Sequence, residues 1–209
     1  MDCTNISGRR ILFVMAVAQE YGPCLRARFR PLLTGVGPVE AALTTGVALQ
    51  RMLTGDDLPD LVVSLGSAGS RICPLGSVRQ VSAVSWRDMD ATRLGFARGV
   101  TPFADHGAVI PLPTPLPGVQ TATLSTGADI VGGDGYARID ADMVDMESFA
   151  VWRACARFGV PMLGLRGISD GPGELDGLHG WLELLGHLDA ELAKAVDGLA
   201  DVMGFLPEP

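Results

Sequence analysis

The sequence predicts an α/β fold, a three-layer sandwich with a central mixed β-sheet. Three observations carry that prediction. Apolar strand-like runs alternate with amphipathic helical runs along the chain, the pattern of helices packed on a largely parallel sheet. Extra short strands interrupt the alternation between residues 77 and 125, which calls for antiparallel neighbours and hence a mixed sheet. Hydrophobic residues make up 47% of the 209, enough for a sizeable core at this length. No linker, repeat or low-complexity stretch divides residues 1–209, which read as one domain.

Residues 11–17 form an apolar, buried-type strand, and 21–29 a short helix or turn. A second strand over 30–34 closes on Gly35-Val36-Gly37-Pro38. Pro38 suits the first turn of a helix, and 39–53 carries apolar residues at helical spacing. A β-branched strand at 60–65 ends in Gly66-Ser67-Ala68-Gly69-Ser70. Residues 77–84 alternate as a strand, and 87–104 form a loop with Gly95, Gly99 and Pro102. Short strands follow at 108–112 and 119–125. A helix is expected over 144–158, a strand over 161–168, and a terminal helix from Gly180 to about Met203.

Composition removes several function classes. The net charge is -8, and the 16 basic residues do not cluster, which argues against a nucleic-acid surface. No apolar run is long enough to span a membrane. The start MDCTNISGRR lacks the charged-then-apolar order of a signal peptide. Cys3, Cys24, Cys73 and Cys155 show no paired spacing, and His106, His179 and His187 are scattered. Zinc-site spacings are therefore absent, no metal is expected, and reduced thiols in a cytoplasmic protein are the simpler reading.

Several motifs have two readings. Gly35-Val36-Gly37-Pro38-Val39-Glu40 begins like a dinucleotide fingerprint, but Glu40 stands where the third glycine belongs. A plain strand–helix turn is favoured over a nicotinamide site, and no organic cofactor is expected. Gly66–Ser70 is either a tight turn or a place where a ligand approaches the backbone. Its serine does not meet the spacing of a nucleophile elbow. Glu20, Asp145 and Glu147 each suit a helix's first turn, where the dipole favours an acid by about 0.3–1 kcal/mol. Asp170 either caps the turn into Gly171-Pro172-Gly173 or lies where ligand crevices open, beyond a strand's carboxyl end.

Taken together, these segments resemble the nucleoside phosphorylase/nucleosidase superfamily, and most of all the 5′-methylthioadenosine/S-adenosylhomocysteine nucleosidases. The matching blocks are Val17-Ala18-Gln19-Glu20, residues 35–42, Gly66-Ser67-Ala68-Gly69, Asp88-Met89-Asp90-Ala91, Ser125-Thr126-Gly127, Val144-Asp145-Met146-Glu147 and Arg166-Gly167-Ile168-Ser169-Asp170. They span nearly the whole chain in the family's order, and the last two are the most specific.

The resemblance implies the nucleoside phosphorylase-like version of the sandwich, with a purine nucleoside at the strand ends and no cofactor. It implies that Glu147 accepts hydrogen bonds from the ribose hydroxyls while Met146 packs under the sugar. Asp170, helped by Ser169, would protonate purine N7. Glu20 would take a proton from the attacking water. Ser67 would line the water and ribose region, and Val36, Ala68, Gly69 and Asp145 fall in the same matched blocks. Arg166 is expected to orient Glu147 or Asp170. Leu94, Phe96 and Pro102 resemble the loop that reaches a neighbour's 5′-tail pocket, so a homodimer is expected. Ile130 stands where the base-stacking loop usually carries an aromatic, leaving Phe149 or Trp86 as stand-ins.

The residue types suit the chemistry. Cleaving an N-glycosidic bond builds positive charge on the ribose and negative charge on the base. One positioned acid or base is typically worth about 10²–10⁴ in rate. A proton-donating Asp170 calls for desolvation or a like-charge neighbour, whereas an ionised Glu147 favours the cationic sugar. A carboxylate at Glu20 repels phosphate and suits water activation, although Arg26, Arg28 and Arg30 lie nearby in sequence. The expected activity is therefore hydrolysis of methylthioadenosine- or adenosylhomocysteine-type nucleosides to adenine and a 5-substituted ribose. A nucleoside phosphorylase, a purine nucleosidase of the futalosine or adenosyl-lipid type, and a nucleoside-binding protein without catalysis are the rival readings.

Overall fold

A computed structural model describes residues 3–171 and 177–205. In chain order the strands are β1 (Thr4–Ile6), β2 (Arg9–Met15), β3 (Leu32–Leu33), β4 (Leu61–Gly69), β5 (Val78–Trp86), β6 (Val109–Pro111), β7 (Thr121–Thr126), β8 (Met143–Asp145) and β9 (Met162–Asp170). The helices are α1 (Pro23–Arg26), α2 (Pro38–Thr54), α3 (Ser148–Arg157), α4 (Gly177–Asp197) and α5 (Leu199–Val202). Among the described residues, no helix is long and apolar enough to cross a membrane.

The layers follow from the period-two alternation of strand side chains. Ile11, Phe13 and Met15 of β2 point to one face, with Val63 and Leu65 of β4, and pack on Leu192 and Val196 of α4 and Leu199 of α5. Leu12 and Val14 point to the other face and meet Ala41, Leu49 and Met52 of α2 and Val151 and Cys155 of α3. α3 also covers β5 and β7 through Phe149, which packs with Val81, Val84 and Leu124. This is the mixed sheet between two helical layers that the alternation predicts.

The strand order places the site. β4 lies between β2 and β9 and runs parallel to both. β9 is antiparallel to β5 on its other side, and β5, β7 and β8 continue as parallel neighbours. β8 returns to β4 through Gly69 opposite Val144. The sheet thus curls back on itself, and the carboxyl ends of β2, β4, β7, β8 and β9 converge. Near that end the β4–β9 register shifts from Ala68 opposite Ile168 to Gly69 opposite Asp170. Ser169 is the extra residue, and such bulges re-aim side chains.

Three expectations need correction. The strand expected at 60–65 runs on to Gly69, so of the two readings of Gly66–Gly69 the tight turn falls: β4 continues through it in register with Arg166, Gly167 and Ile168. Its glycines answer to close approach instead. A Cβ on Gly66 would lie 3.2 Å from Glu20 Oε2. The expected helix at 144–158 begins only at Ser148, because Val144 and Asp145 belong to β8 and pair with Ser125 and Thr126 of β7. The terminal helix starts earlier, at Gly177, and breaks after Asp197. The short edge strand β1 and a 3₁₀ segment at Gly133–Arg138 carry no apolar periodicity that announces them. The turn expected at 171–173 runs into residues 172–176, which lie outside the described residues.

Candidate active site

A cavity of about 710 Å³ opens where these strand ends converge. Glu20, Val36, Ser67, Ala68, Gly69, Ile130, Asp145, Met146, Glu147, Arg166 and Asp170 all line it. Segments up to 150 residues apart in sequence therefore meet in one place.

Glu20 sits on a 3₁₀ turn just after β2 and is only 8% exposed. Its Oε1 accepts from the Ser67 backbone N at 2.8 Å and from Ser67 Oγ at 2.6 Å. Its Oε2 is buried and has no hydrogen-bond partner among the described residues. Burial pushes its pKa above the usual carboxylate value, and the two bonds from Ser67 pull the other way.

Asp145 ends β8, and both of its oxygens are engaged. Oδ1 accepts from Thr126 Oγ1 at 2.6 Å. Oδ2 accepts from the Ser148 N at 3.0 Å and from Arg166 Nε and Nη2 at 3.2 and 3.0 Å. Arg166 therefore pairs with Asp145, not directly with Glu147 or Asp170. The reason is placement: β8 delivers Asp145 to the guanidinium, while Glu147, two residues on, turns towards α2. Glu147 is the N-cap residue of α3, and its Oε1 accepts from the Gly37 N at 2.7 Å. Gly37 has a φ of 93°, which favours glycine at this close approach. Burial first, and the Asp145 charge second, push the Glu147 carboxyl up to about 7.

Asp170 closes β9 at the far side of the cavity. Ser169 Oγ donates to its Oδ1 at 2.7 Å, and Tyr136 OH donates to its Oδ2 at 3.3 Å. Ser169 is buried beneath it and does not line the cavity.

Other expected residues lie elsewhere. Leu94, Phe96 and Pro102 are outside the cavity lining of this chain. Leu94 is 74% exposed, and Phe96 sits edge-on to the almost fully exposed Phe103. Trp86 and Phe149, the candidates for the stacking aromatic, are outside the cavity lining of this chain. They stack on each other at 5.8 Å, and Phe149 also packs with Trp152 of the same helix. Ile130 lines the cavity and is itself well exposed.

The positive charges are equally specific. Arg28 forms a two-pronged pair with Asp197 at 2.6 Å. Arg26 donates to the Tyr21 carbonyl and, with Arg30, lines a separate depression. The arginines in the cavity wall are Arg87 and Arg166. Arg87, which the sequence does not single out, donates Nη1 to the Ser125 and Asp145 carbonyls, Nη2 to the Asp129 carbonyl and Oδ1, and Nε to Asp129 Oδ1. Arg166 donates Nη1 to the Ser64 and Leu165 carbonyls, and Nη2 to Ser64 Oγ and Ser148 Oγ as well as Asp145. A guanidinium has five N–H donors, and in both arginines protein acceptors occupy them. Among the described residues, no cluster of three or more His, Cys, Asp or Glu is arranged to hold a metal ion.

Comparison with known proteins finds similar sequences and similar folds. The family model "Phosphorylase superfamily" matches residues 31–196. A 5′-methylthioadenosine/S-adenosylhomocysteine nucleosidase of Actinobacillus succinogenes is 32% identical over 162 residues, 68% of each chain. One from Anoxybacillus flavithermus is 30% identical over 159 residues, 66% of each chain. Among solved structures, the Colwellia psychrerythraea nucleosidase of that name in complex with adenine superposes with a TM-score of 0.78 at 19% identity, covering 97% of this chain and 98% of that one. The futalosine hydrolase of Helicobacter pylori gives 0.75 at 20% identity, covering 91% and 97%.

Two outcomes follow from the ionic geometry. Arg166→Met leaves the Asp145 charge buried without its cation, and is expected to lower stability by roughly 3–5 kcal/mol in urea unfolding. The double variant with Asp145→Asn should recover part of that loss. Glu147 binds its proton more tightly folded than unfolded, so its contribution is fully present below its ordinary value of 4.5 and is lost as pH rises through about 7. Glu147→Gln should therefore match the parent's melting temperature at pH 4 and exceed it at pH 8, by up to about 3 kcal/mol of stability.

Proposed function

Because the chain belongs to the phosphorylase superfamily, we infer that it is an N-glycosidase hydrolysing 5′-methylthioadenosine/S-adenosylhomocysteine-type purine nucleosides to adenine and a 5-substituted ribose. The observation that carries the choice of water over phosphate is the cavity's charge arrangement. Glu20 presents a buried carboxylate oxygen there, and the N–H donors of both wall arginines are already taken. A phosphate dianion would meet carboxylates and no unengaged guanidinium, whereas a water would meet a base.

In this reading the reaction runs across the cavity. Asp170 gives its proton to purine N7 as the C1′–N9 bond breaks and its electron pair moves onto the base. The ribose becomes cationic, and Glu147, ionised once the ribose hydroxyls donate to it, stabilises that charge. Met146 packs beneath the sugar. Glu20 takes a proton from water as the oxygen bonds to C1′. Ser67 holds Glu20 in place, and Val36, Ala68, Gly69 and Ile130 shape the walls. Asp145 and Arg166 fix the floor on which Glu147 stands.

The protein is also proposed to be a cytoplasmic homodimer. Val39, Leu43 and Val47 are exposed at helical spacing on α2, and Val36 continues that apolar stripe to the cavity rim. Such a stripe on a surface helix suits burial against a second copy. That copy would bring Leu94, Phe96 and Pro102 to the 5′ end of the nucleoside.

Incubation with a panel of purine nucleosides, with and without phosphate, is expected to release free adenine from the 5′-thio-substituted adenosines equally in both. Release only with phosphate would make the protein a phosphorylase. Glu20→Gln and Asp170→Asn should each lower kcat by at least about 100-fold with the melting profile kept, and near-parental activity in either removes that residue's role. Light scattering should report a mass near twice the 21.9 kDa chain. A mass equal to one chain would sink the dimer.

A further inference from the structure

We propose that Tyr136 is a positioning residue for Asp170, holding the carboxyl in the orientation from which it protonates the leaving base; the proposal rests on the reading of Asp170 as that proton donor. Tyr136 lies on the 3₁₀ segment Gly133–Arg138, and its ring is buried against Val131 and Val144. Both of those valines line the cavity, but Tyr136 does not. Its hydroxyl reaches Asp170 Oδ2, while Ser169 Oγ reaches Oδ1. The tyrosine thus acts through Asp170.

Two physical consequences follow. The terminal torsion of an aspartate is broad, so a carboxyl tied at one oxygen swings; tied at both, it keeps one plane. The second consequence concerns charge. As the proton passes to N7, the carboxyl becomes a carboxylate, and hydroxyl donors bind an anion more strongly than a neutral acid. The Tyr136 bond therefore strengthens along the reaction, which raises kcat more than it changes ground-state binding. Its length of 3.3 Å is long for a hydroxyl bond, which is common for catalytic contacts before the charge develops. Burial, before any other cause, pushes the phenol above its ordinary value, so it remains a donor at neutral pH. Gly69 marks the same contact from β4. A Cβ there would run into the Tyr136 hydroxyl and lie 2.5 Å from Asp170 Oδ2.

The test compares two substrates in Tyr136→Phe. One is 5′-methylthioadenosine, whose base leaves with protonation. The other is an aryl 5-methylthioriboside with a nitrophenolate leaving group, which departs as a stable anion without it. The expected result is a kcat about tenfold lower on the nucleoside, with KM little changed and turnover of the aryl riboside retained. An equal loss on both substrates would show ordinary structural support, and no loss on the nucleoside would show no role; either overturns the proposal. Asp170→Asn in the same assay separates the two levels. If it still cleaves the nucleoside at the parent rate, the reading of Asp170 fails. If it is crippled while Tyr136→Phe is not, only the positioning role fails.

Discussion

The site is organised around one buried ion pair, Arg166 with Asp145, whose side chains are 3% and 1% exposed. Taking both charges out of water costs several kcal/mol per ion, and the attraction offsets that only when the remaining donors and acceptors are filled. Here they are filled by the elements that need to be joined. Arg166 of β9 reaches Ser64 of β4 and Ser148 at the head of α3, and Asp145 of β8 reaches Thr126 of β7. Four strands and a helix start are locked to each other by one charge pair. The groups proposed to act on the nucleoside are short steps away: Ser67 three residues beyond Ser64, Glu147 two beyond Asp145, and Asp170 four beyond Arg166.

That arrangement leaves the cavity rich in acids. Asp145 has its cation, but Glu20 and Glu147 hold buried carboxyls whose protons are retained more tightly than in water. A buried carboxylate without a counter-charge is costly, and the proposed reaction supplies a transient one in the cationic ribose. Electrostatic strain at these carboxyls and stabilisation of the transition state are then two aspects of the same placement. The phosphate question has the same origin. Arg87 and Arg166 spend their donors on the scaffold, so positive charge in the wall builds the cavity and is not offered to an anion.

Much of this was legible in the chain. The α/β layering follows from alternating apolar periods, and the start of α2 from Gly37-Pro38. The acids 20, 147 and 170 stood out because each follows a strand or opens a helix, and order along the chain tied them to one family. The misreadings have a common cause. Gly66–Gly69 leaves a turn and a close approach equally open because glycine serves both locally, and here it admits Glu20 and Tyr136 across the sheet. Asp145 looked helical because it precedes an amphipathic run, yet β7 holds it as strand. Tyr136 and Arg87 gave no signal, since their partners lie 34 to 58 residues away in sequence.

The sequence by itself determined the kind of fold, the positions of the acids and the absence of an aromatic at Ile130, because these depend on local periodicity and residue type. Only the tertiary structure decided which charges are neutralised and which remain available. It gave Arg166 to Asp145 instead of to Glu147 or Asp170, engaged the donors of Arg87, buried Glu20 against Ser67, and set Tyr136 behind Asp170. The physical reason is that a side chain's charge and proton affinity are set by burial and by partners brought from distant segments, and no local pattern encodes those partners.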